Sequence, residues 1–391
     1  MSGMRNQEKT KAKRYCIYGA RAFSISAYVA LRTLHPEREI ACFLVTNMAG
    51  NPEEIDGLSV SEAADYASNL SEEDKEQTEV IIAAAAHLHE EITAHIESLG
   101  FMRHSALDEE GWGALMEEFY RTTGKVQILR DLPLPEERTG DVEIRTCAGK
   151  LANLIIYMAR HVKDRPIVHP VDLPAYITPV QVGAALTTER ICEVTDDKGD
   201  NISSKNVNYC ELTALYYAWK NRGDIGVWKS AGKDTEEPYY GLAHYRRFME
   251  LSEKDLQRII ANDVDVILPY PFIYHKGMEI HHHQFVKEGD WNAMLQALQE
   301  LGGERAALLP EVLQQPMICL YNIVCARAHV MDDYCAWLFP ILARTEELSD
   351  PKGWERADRY IGYMGETLLT LYLYSRRNEL KMAHTRLRFL V

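Results

Sequence analysis

The sequence predicts an α/β protein of two domains, and three observations predict it. The chain has 391 residues, enough for two domains that each bury a core. Its first third alternates short apolar runs with helical patterns, as βαβ units around a parallel sheet do. The stretch Leu132-Pro133-Leu134-Pro135-Glu136-Glu137 then reads as a linker, and strand and helix patterns mix again beyond it. The boundaries this implies are a disordered N-terminus over residues 1–13, a first domain over 14–131, a linker over 132–149 and a second domain over 150–391.

In the first domain, Tyr15 to Gly19 reads as a buried strand and Ala20 to Leu34 as the helix that follows. Ile40 to Val45 is a second strand. Ser59 to Tyr66 carries a capping pattern and suggests a short helix. Val80 to Ala84 is a third strand, and Glu90 to Leu99 a helix. The pattern is similar to Rossmann-like domains attached to sugar-modifying enzymes. A dinucleotide fingerprint needs three glycines for a tight turn and close pyrophosphate approach. Gly19 is followed by Ala20, Arg21, Ala22, Phe23 and Ser24, which argues for a structural or docking role and against NAD.

In the second domain, Leu151 to Ala159 reads as a first strand, with helix as the alternative, and runs into Arg160, His161 and Lys163. Asp196 to Asn206 is a turn-rich loop. Leu212, Leu215, Tyr216 and Trp219 then share one face of a helix that Asn206 or Asn208 could cap. Pro238 to Ala243 reads as a strand ending in His244-Tyr245-Arg246-Arg247, with Phe248 and Met249 resuming the apolar character. Val264 to Pro269 is another strand. Asp290-Trp291 begins an amphipathic helix. Met317 to Cys325 reads as one strand with Asn322 inside it. Tyr334 to Leu342 is a core helix, and Gly362 to Leu373 another, with Glu366 near its start.

The formal net charge of −15 argues against a nucleic-acid partner and against an anionic membrane surface. No run reaches the roughly 18 apolar residues that span a bilayer, and no signal-peptide core follows the basic residues before Arg14. These features place the chain in the cytosol or at the inner face of the membrane. The eight cysteines form no C-x-x-C pair and read as buried apolar residues.

Two stretches point to an anion site. Arg246 and Arg247 sit where a strand leaves the sheet, the usual place for a ligand in an open α/β fold, and the guanidinium fork matches phosphate oxygens. Asn201, Ser203, Lys205, Asn206 and Glu211 lie on a loop and first turn, where a helix N-terminus favours an anion.

Together these stretches resemble a family of bacterial capsular and exopolysaccharide biosynthesis glycosyltransferases. The resemblance rests on Gly199 to Asn206, Glu211 to Tyr216, Trp219 to Asn221 and Gly241 to Arg247, in that order. Pro179 to Leu186 upstream extends it, as do Tyr321-Asn322, Tyr334 to Leu342 and Gly362 to Glu366 downstream. It covers about residues 150–391. It implies a GT-A-like second domain and a hexosyltransferase that uses a nucleotide sugar, such as a UDP-sugar. The acceptor would be a growing capsular, exopolysaccharide or O-antigen glycan, free or lipid-linked. The alternative is a non-catalytic nucleotide-sugar-binding subunit of a polysaccharide assembly complex.

The resemblance also assigns roles. Metal-dependent GT-A enzymes carry Asp-x-Asp where this chain has His244-Tyr245-Arg246-Arg247, so Arg246 and Arg247, with His244, would stabilise the departing diphosphate without a metal. Mg²⁺ or Mn²⁺ is the less favoured alternative, with Mg²⁺ held by the loop of Asp196, Asp197 and Asp200. Arg160, His161 and Lys163 would meet the nucleotide, and Tyr245 would line the same site. Asn322 would face the acceptor cleft. Beyond His275, the three consecutive side chains of His281 to His283 diverge too far to ligate one metal together; the residues themselves favour a loop or helix-start role without metal, with one metal ligand or a hydrogen bond to the sugar acceptor, taken as His283, as the alternatives. Glu366 is the first choice for the base that accepts the acceptor proton, and Glu211 the second.

Overall fold

Runs of β-branched and aromatic residues become strands here, and the amphipathic stretches between them become helices that cover the sheets. The structure is a computed structural model that describes residues 14–134, 154–167, 171–221, 237–274, 277–279 and 284–390. Residues 135–153 and the histidines His275 and His281 to His283 lie outside the described residues. The chain divides into two units, up to Phe119 and from Tyr120 onward. Among the described residues no helix is long and apolar enough to cross a membrane.

The first unit is built on β1 (Arg14–Tyr18), β2 (Ile40–Val45), β3 (Glu54–Ile55), β4 (Leu58–Glu62), β5 (Thr78–Ile82) and β6 (Arg103–Ala106). They form one sheet in the order β3-β4-β2-β1-β5-β6, parallel throughout except for the β3–β4 pair. Helices Ala22–Leu34 and His89–Ser98 connect parallel neighbours. Cys16, Phe43, Val80 and Ile96 are fully buried in this unit.

One expectation fails here. Residues 59–62 are strand β4, and the helix is Ala63–Ser68. The run Leu58-Ser59-Val60-Ser61 has period two, and Val60 is buried beside Phe43 of β2. That cross-strand burial outweighs the capping pattern.

The second unit holds a nine-stranded mixed sheet. Its strands are β7 (Leu154–Arg160), β8 (Ile177–Gln181), β9 (Val194–Thr195), β10 (Tyr239–His244), β11 (Arg247–Met249), β12 (Val266–Pro269), β15 (Val324–Arg327), β16 (Met382–Thr385) and β17 (Leu387–Phe389). The order is β16-β12-β15-β10-β7-β8-β9, and β11 joins β10 to β17. Strands β7, β8, β9 and β10 run parallel, whereas β15 is antiparallel to both its neighbours. A separate pair joins β13 (Phe272–Ile273) to β14 (Met317–Ile318). Strand β10 passes so close to β15 that a Cβ on Gly241 would lie 2.1 Å from the Val324 carbonyl oxygen. Helices Leu212–Asn221, Glu253–Ala261, Glu288–Leu301, Ala328–Leu348 and Tyr360–Ser375 are the longer helices among the described residues of this unit.

Residues 120–134 belong to this second unit. Tyr120 donates to the Pro271 carbonyl at 2.9 Å, Leu129 is fully buried in the second unit's core, and Arg258 Nε donates to the Leu132 carbonyl at 2.8 Å. The chain therefore joins the second core before the prolines that suggest a linker.

Three further expectations change. Met317 to Cys325 is not one strand, because Tyr321 and Asn322 take φ of 68° and 53° and turn the chain between β14 and β15. The helix expected to start at Asn206 or Asn208 is two pieces, Asn206–Tyr209 and Leu212–Asn221, broken at Cys210 with φ of 51°. The last long helix starts at Tyr360, so Glu366 lies in its second turn.

Candidate functional site

Strands β8, β7 and β10 end side by side, since Ala159 pairs with both His244 and Val180. Ligands in open α/β sheets collect beyond such carboxyl ends. There the second unit holds a cavity of about 510 Å³, inside the range of about 300–1,000 Å³ that small-molecule sites occupy. The turn after β7 contributes His161, Lys163, Asp164 and Arg165, and the end of β10 contributes His244 and Tyr245. Asn206, Val207, Cys210 and Glu211 line it from the broken helix, and Ala357 and Arg359 from the segment before helix Tyr360–Ser375. One lysine and two arginines thus line one space with two acidic side chains.

Glu211 is buried and still reaches the cavity. Its Oε1 accepts from Asn322 Nδ2 at 2.7 Å and lies 3.4 Å from His244 Nε2. His244 Nε2 also lies 2.9 Å from the Tyr321 carbonyl. A carbonyl only accepts, so that nitrogen carries the hydrogen. Burial acts to raise the Glu211 carboxyl. The charge and hydrogen bond of His244, then the Asn322 amide, outweigh it and hold the group below its ordinary value. Asn322 Nδ2 donates also to the Gly362 carbonyl at 3.0 Å, and a Cβ on Gly365 would sit 2.8 Å from Asn322 Oδ1. The left-handed turn at Tyr321-Asn322 and the missing side chain at Gly365 therefore place the amide that orients Glu211. Burial pushes the neighbouring Cys210 thiol up to about 12.

The turn after β7 is fixed from within. Asp164 accepts from the His161 backbone N–H at 2.8 Å and pairs with Arg160 at 3.4 Å. Burial raises the Asp164 carboxyl against those partners. His161 Nδ1 accepts from the Lys163 backbone N–H at 3.1 Å, so its neutral ring keeps Nε2–H as a donor.

Most polar residues of the Asp196–Asn206 loop bind the protein itself. Asp196 is fully buried and accepts from the N–H groups of Gly183 and Ala184 at 3.0 and 3.1 Å, and from the Ser203 hydroxyl. Asn201 donates to the Gly199 carbonyl at 2.9 Å. Lys205 pairs with the buried Glu346, which Tyr209 also reaches. Asp197 holds Thr195 and Arg190, and Asp200 accepts from Tyr216. Among the described residues no three His, Cys, Asp or Glu side chains gather where a metal could be held.

The structure brings His161, Lys163, Asn206, Glu211, His244 and Tyr245 to the cavity. Arg160, Asn201, Ser203 and Lys205 do not line it, nor does Asn322, which is buried and holds Glu211 instead of facing a cleft, and His283 is outside the described residues. Arg246 and Arg247 are described residues and do not line it. Arg246 Nη2 donates to the Pro166 carbonyl at 2.8 Å and so braces the turn that bears Lys163 and Arg165. The Arg247 guanidinium lies 4.2 Å from the Tyr321 ring centre, and the Tyr321 carbonyl meets His244. Glu366 does not line the cavity either. Its Oε1 accepts from the Tyr321 N–H at 2.7 Å and supports the Tyr321-Asn322 turn.

The family described as a domain of unknown function, DUF4422, matches residues 155–378. The chain belongs to this family. The DUF4422 match runs from β7 through helix Tyr360–Ser375, and every residue that lines the cavity falls within it. Among solved structures, the apo structure of the bifunctional glycosyltransferase WbbM is similar at 25% identity, with a TM-score of 0.48 over 61% of this chain and 45% of that one. The DUF4422 chain thus spans less than half the length of that protein. No curated protein matches it.

Sequence reasoning missed Arg165, Cys210 and Arg359. Arg165 ends the basic run that begins at Arg160. Arg359 immediately precedes the Tyr360–Ser375 helix and carries φ of 63°, which sequence does not announce for an arginine.

Proposed function

We propose that the chain is a nucleotide-sugar-dependent glycosyltransferase whose second unit has a GT-A-like fold. The observation that carries this reading is convergence. The segments that resemble the capsular and exopolysaccharide transferases meet around Glu211, through Asn206, His244, Asn322, Gly362 and Gly365. They do so beside a cavity at the carboxyl ends of parallel strands with Lys163, Arg165 and Arg359 in its lining. A departing nucleoside diphosphate needs positive charge placed before the reaction. In this reading these three cations and the Nε2–H of His161 supply it.

Arg246 and Arg247 act in this reading as braces for Lys163, Arg165 and His244. The base that accepts the acceptor hydroxyl proton is Glu211, which lines the cavity and is held ionised, whereas Glu366 holds the turn behind it. The sugar passes to a hydroxyl of a capsular, exopolysaccharide or O-antigen glycan. The bond from the anomeric carbon to the diphosphate oxygen breaks as the bond to the acceptor oxygen forms.

The test is a thermal-shift screen of the full chain with UDP-, GDP-, CDP- and dTDP-sugars, followed by a nucleotide-release assay with and without EDTA. A donor at 100 times its dissociation constant should stabilise the chain by about 2.7 kcal/mol, and turnover should survive EDTA. If no nucleotide sugar shifts the melting temperature and none is consumed, the reading is wrong. Loss of turnover in EDTA that Mn²⁺ or Mg²⁺ restores would replace cation-only stabilisation with a metal.

A further inference from the structure

Trp354 is 64% exposed in a segment that is otherwise firmly held. The Gly353 carbonyl accepts from the Asn208 amide at 2.5 Å, and Asn208 Oδ1 accepts from the Asp358 N–H at 3.3 Å. The Lys352 N–H donates to Glu355 at 2.8 Å. Arg356 pairs with the buried Asp290 at 2.7 Å and stacks 3.8 Å over the Tyr360 ring. The backbone on both sides of Trp354 is therefore fixed while its indole stays in water. An exposed large aromatic on a rigid loop forgoes burial energy that the fold could have used, and it binds with little ordering cost.

Its place adjoins the cavity. Asn208, which anchors the segment at both ends, follows Val207, a cavity-lining residue that is 41% exposed. Ala357, also in the lining, comes three residues after Trp354, at most about 11 Å along the chain. A second aromatic surface lies past Arg359. Phe285 is 40% exposed and stacks on Tyr363, with ring centres 4.8 Å apart and planes 19° from parallel. The Arg359 guanidinium lies 6.0 Å from the centre of that Tyr363 ring.

We propose that Trp354, together with the Phe285–Tyr363 stack, forms the platform on which the pyranose rings of a neutral oligosaccharide acceptor lie. This rests on the donor reading of the adjoining cavity. A sugar ring shows C–H bonds on its faces and hydroxyls on its edge. The electron-rich face of an indole attracts the former and leaves the latter to water. Two aromatic surfaces beside a cationic cavity suit an uncharged chain of rings that delivers one hydroxyl to a phosphate-bound donor. A net charge of −15 disfavours the other occupant of exposed aromatics, an anionic lipid surface.

The experiment uses the full chain and three variants, Trp354→Ala, Trp354→Tyr and Phe285→Ala. Saturation-transfer NMR is recorded with mannotriose, galactotriose and the trimer of N-acetylglucosamine. Vesicles of phosphatidylglycerol are tested in parallel, and a UDP thermal shift is measured for every protein. At least one trisaccharide should bind wild type, about tenfold more weakly in Trp354→Ala, and near normally in Trp354→Tyr. The UDP shift should be the same in all four. Equal saccharide binding by Trp354→Ala would overturn the proposal. So would a wild-type chain that binds no trisaccharide, or vesicle binding that alone depends on Trp354. A missing UDP shift would count against the donor reading and leave the saccharide result to judge the platform.

Discussion

Glu211→Gln separates the catalytic reading of the site from a purely structural one. The substitution removes one charge and almost no volume. In the wild type, Oε1 accepts a 2.7 Å hydrogen bond from Asn322 and lies 3.4 Å from His244. A charge-assisted bond of this kind is worth about 1.5–3 kcal/mol, and a glutamine oxygen would keep a neutral version worth about 1 kcal/mol. The stability loss is then about 2 kcal/mol at most, because neutralising a buried group also relieves its desolvation. That corresponds to a melting temperature a few degrees lower, so the variant should fold. Losing the base should cut turnover by about 10²–10⁴. The pH dependence has a definite sign. The folded Glu211 carboxyl sits below its ordinary value, so it adds stability above the unfolded value, and that stability is lost as pH falls through the folded one. The glutamine variant should lack this acid-side loss. The assays are nucleotide release with the donor found in the screen, thermal melting, and a pH series. Wild-type turnover in Glu211→Gln would refute the assignment, as would a larger loss in Glu366→Gln.

Four other outcomes follow from the same geometry. Lys163→Ala should weaken donor binding about tenfold or more without lowering the melting temperature, and Arg359→Ala should weaken it as much while also losing the contact to the Cys210 thiol; unchanged affinity in both would move the diphosphate elsewhere. Arg246→Ala and Arg247→Ala should lower turnover together with stability, since each braces a loop or ring; a turnover loss in fully stable variants would return both arginines to the ligand. Burial pulls His384 down to about 4, so the unfolded chain binds more protons between that value and about 6.5. Stability should fall by up to about 3 kcal/mol as pH drops through this window, and His384→Gln should flatten the slope; equal slopes would refute it. Gly241→Ala places a methyl 2.1 Å from the Val324 carbonyl and should cost about 3 kcal/mol, the upper end of overpacking; a wild-type denaturant midpoint would contradict that contact.

The sheet cores were legible because their strands are nearly uninterrupted apolar runs. Ile40–Val45 needs no context, and Tyr239–His244 little, to read as buried strands. Reading failed where tertiary partners decide the backbone. Nothing local in Met317 to Cys325 says that Tyr321 and Asn322 turn the chain. The turn exists because Glu366, 45 residues later, accepts the Tyr321 N–H, and because Glu211, 111 residues earlier, accepts from the Asn322 amide. The same holds at Cys210, where Arg359 from another helix end reaches the thiol at 3.3 Å. At β4 the local capping pattern of Ser59 and Glu62 was real but weaker than the burial of Val60.

In the proposed reading the candidate site was legible as a place more than as a set of contacts, and the reason is physical. A loop that approaches a ligand has no ladder or helix to satisfy its backbone, so its own side chains must do that work. Asp196 takes two backbone N–H groups and the Ser203 hydroxyl, and Asn206 donates to the Cys210 carbonyl at 2.7 Å. Such residues are fixed in type and spacing, which makes a motif recognisable, while their polar atoms are already occupied. In the proposed reading the cations that meet a diphosphate need only charge and reach, so Arg165 and Arg359 sit in stretches that no spacing rule selects. Glu211 belongs to both groups. It is gripped by Asn322 inside the motif network and still lines the cavity, and that makes it the position where scaffold and chemistry must be tested together.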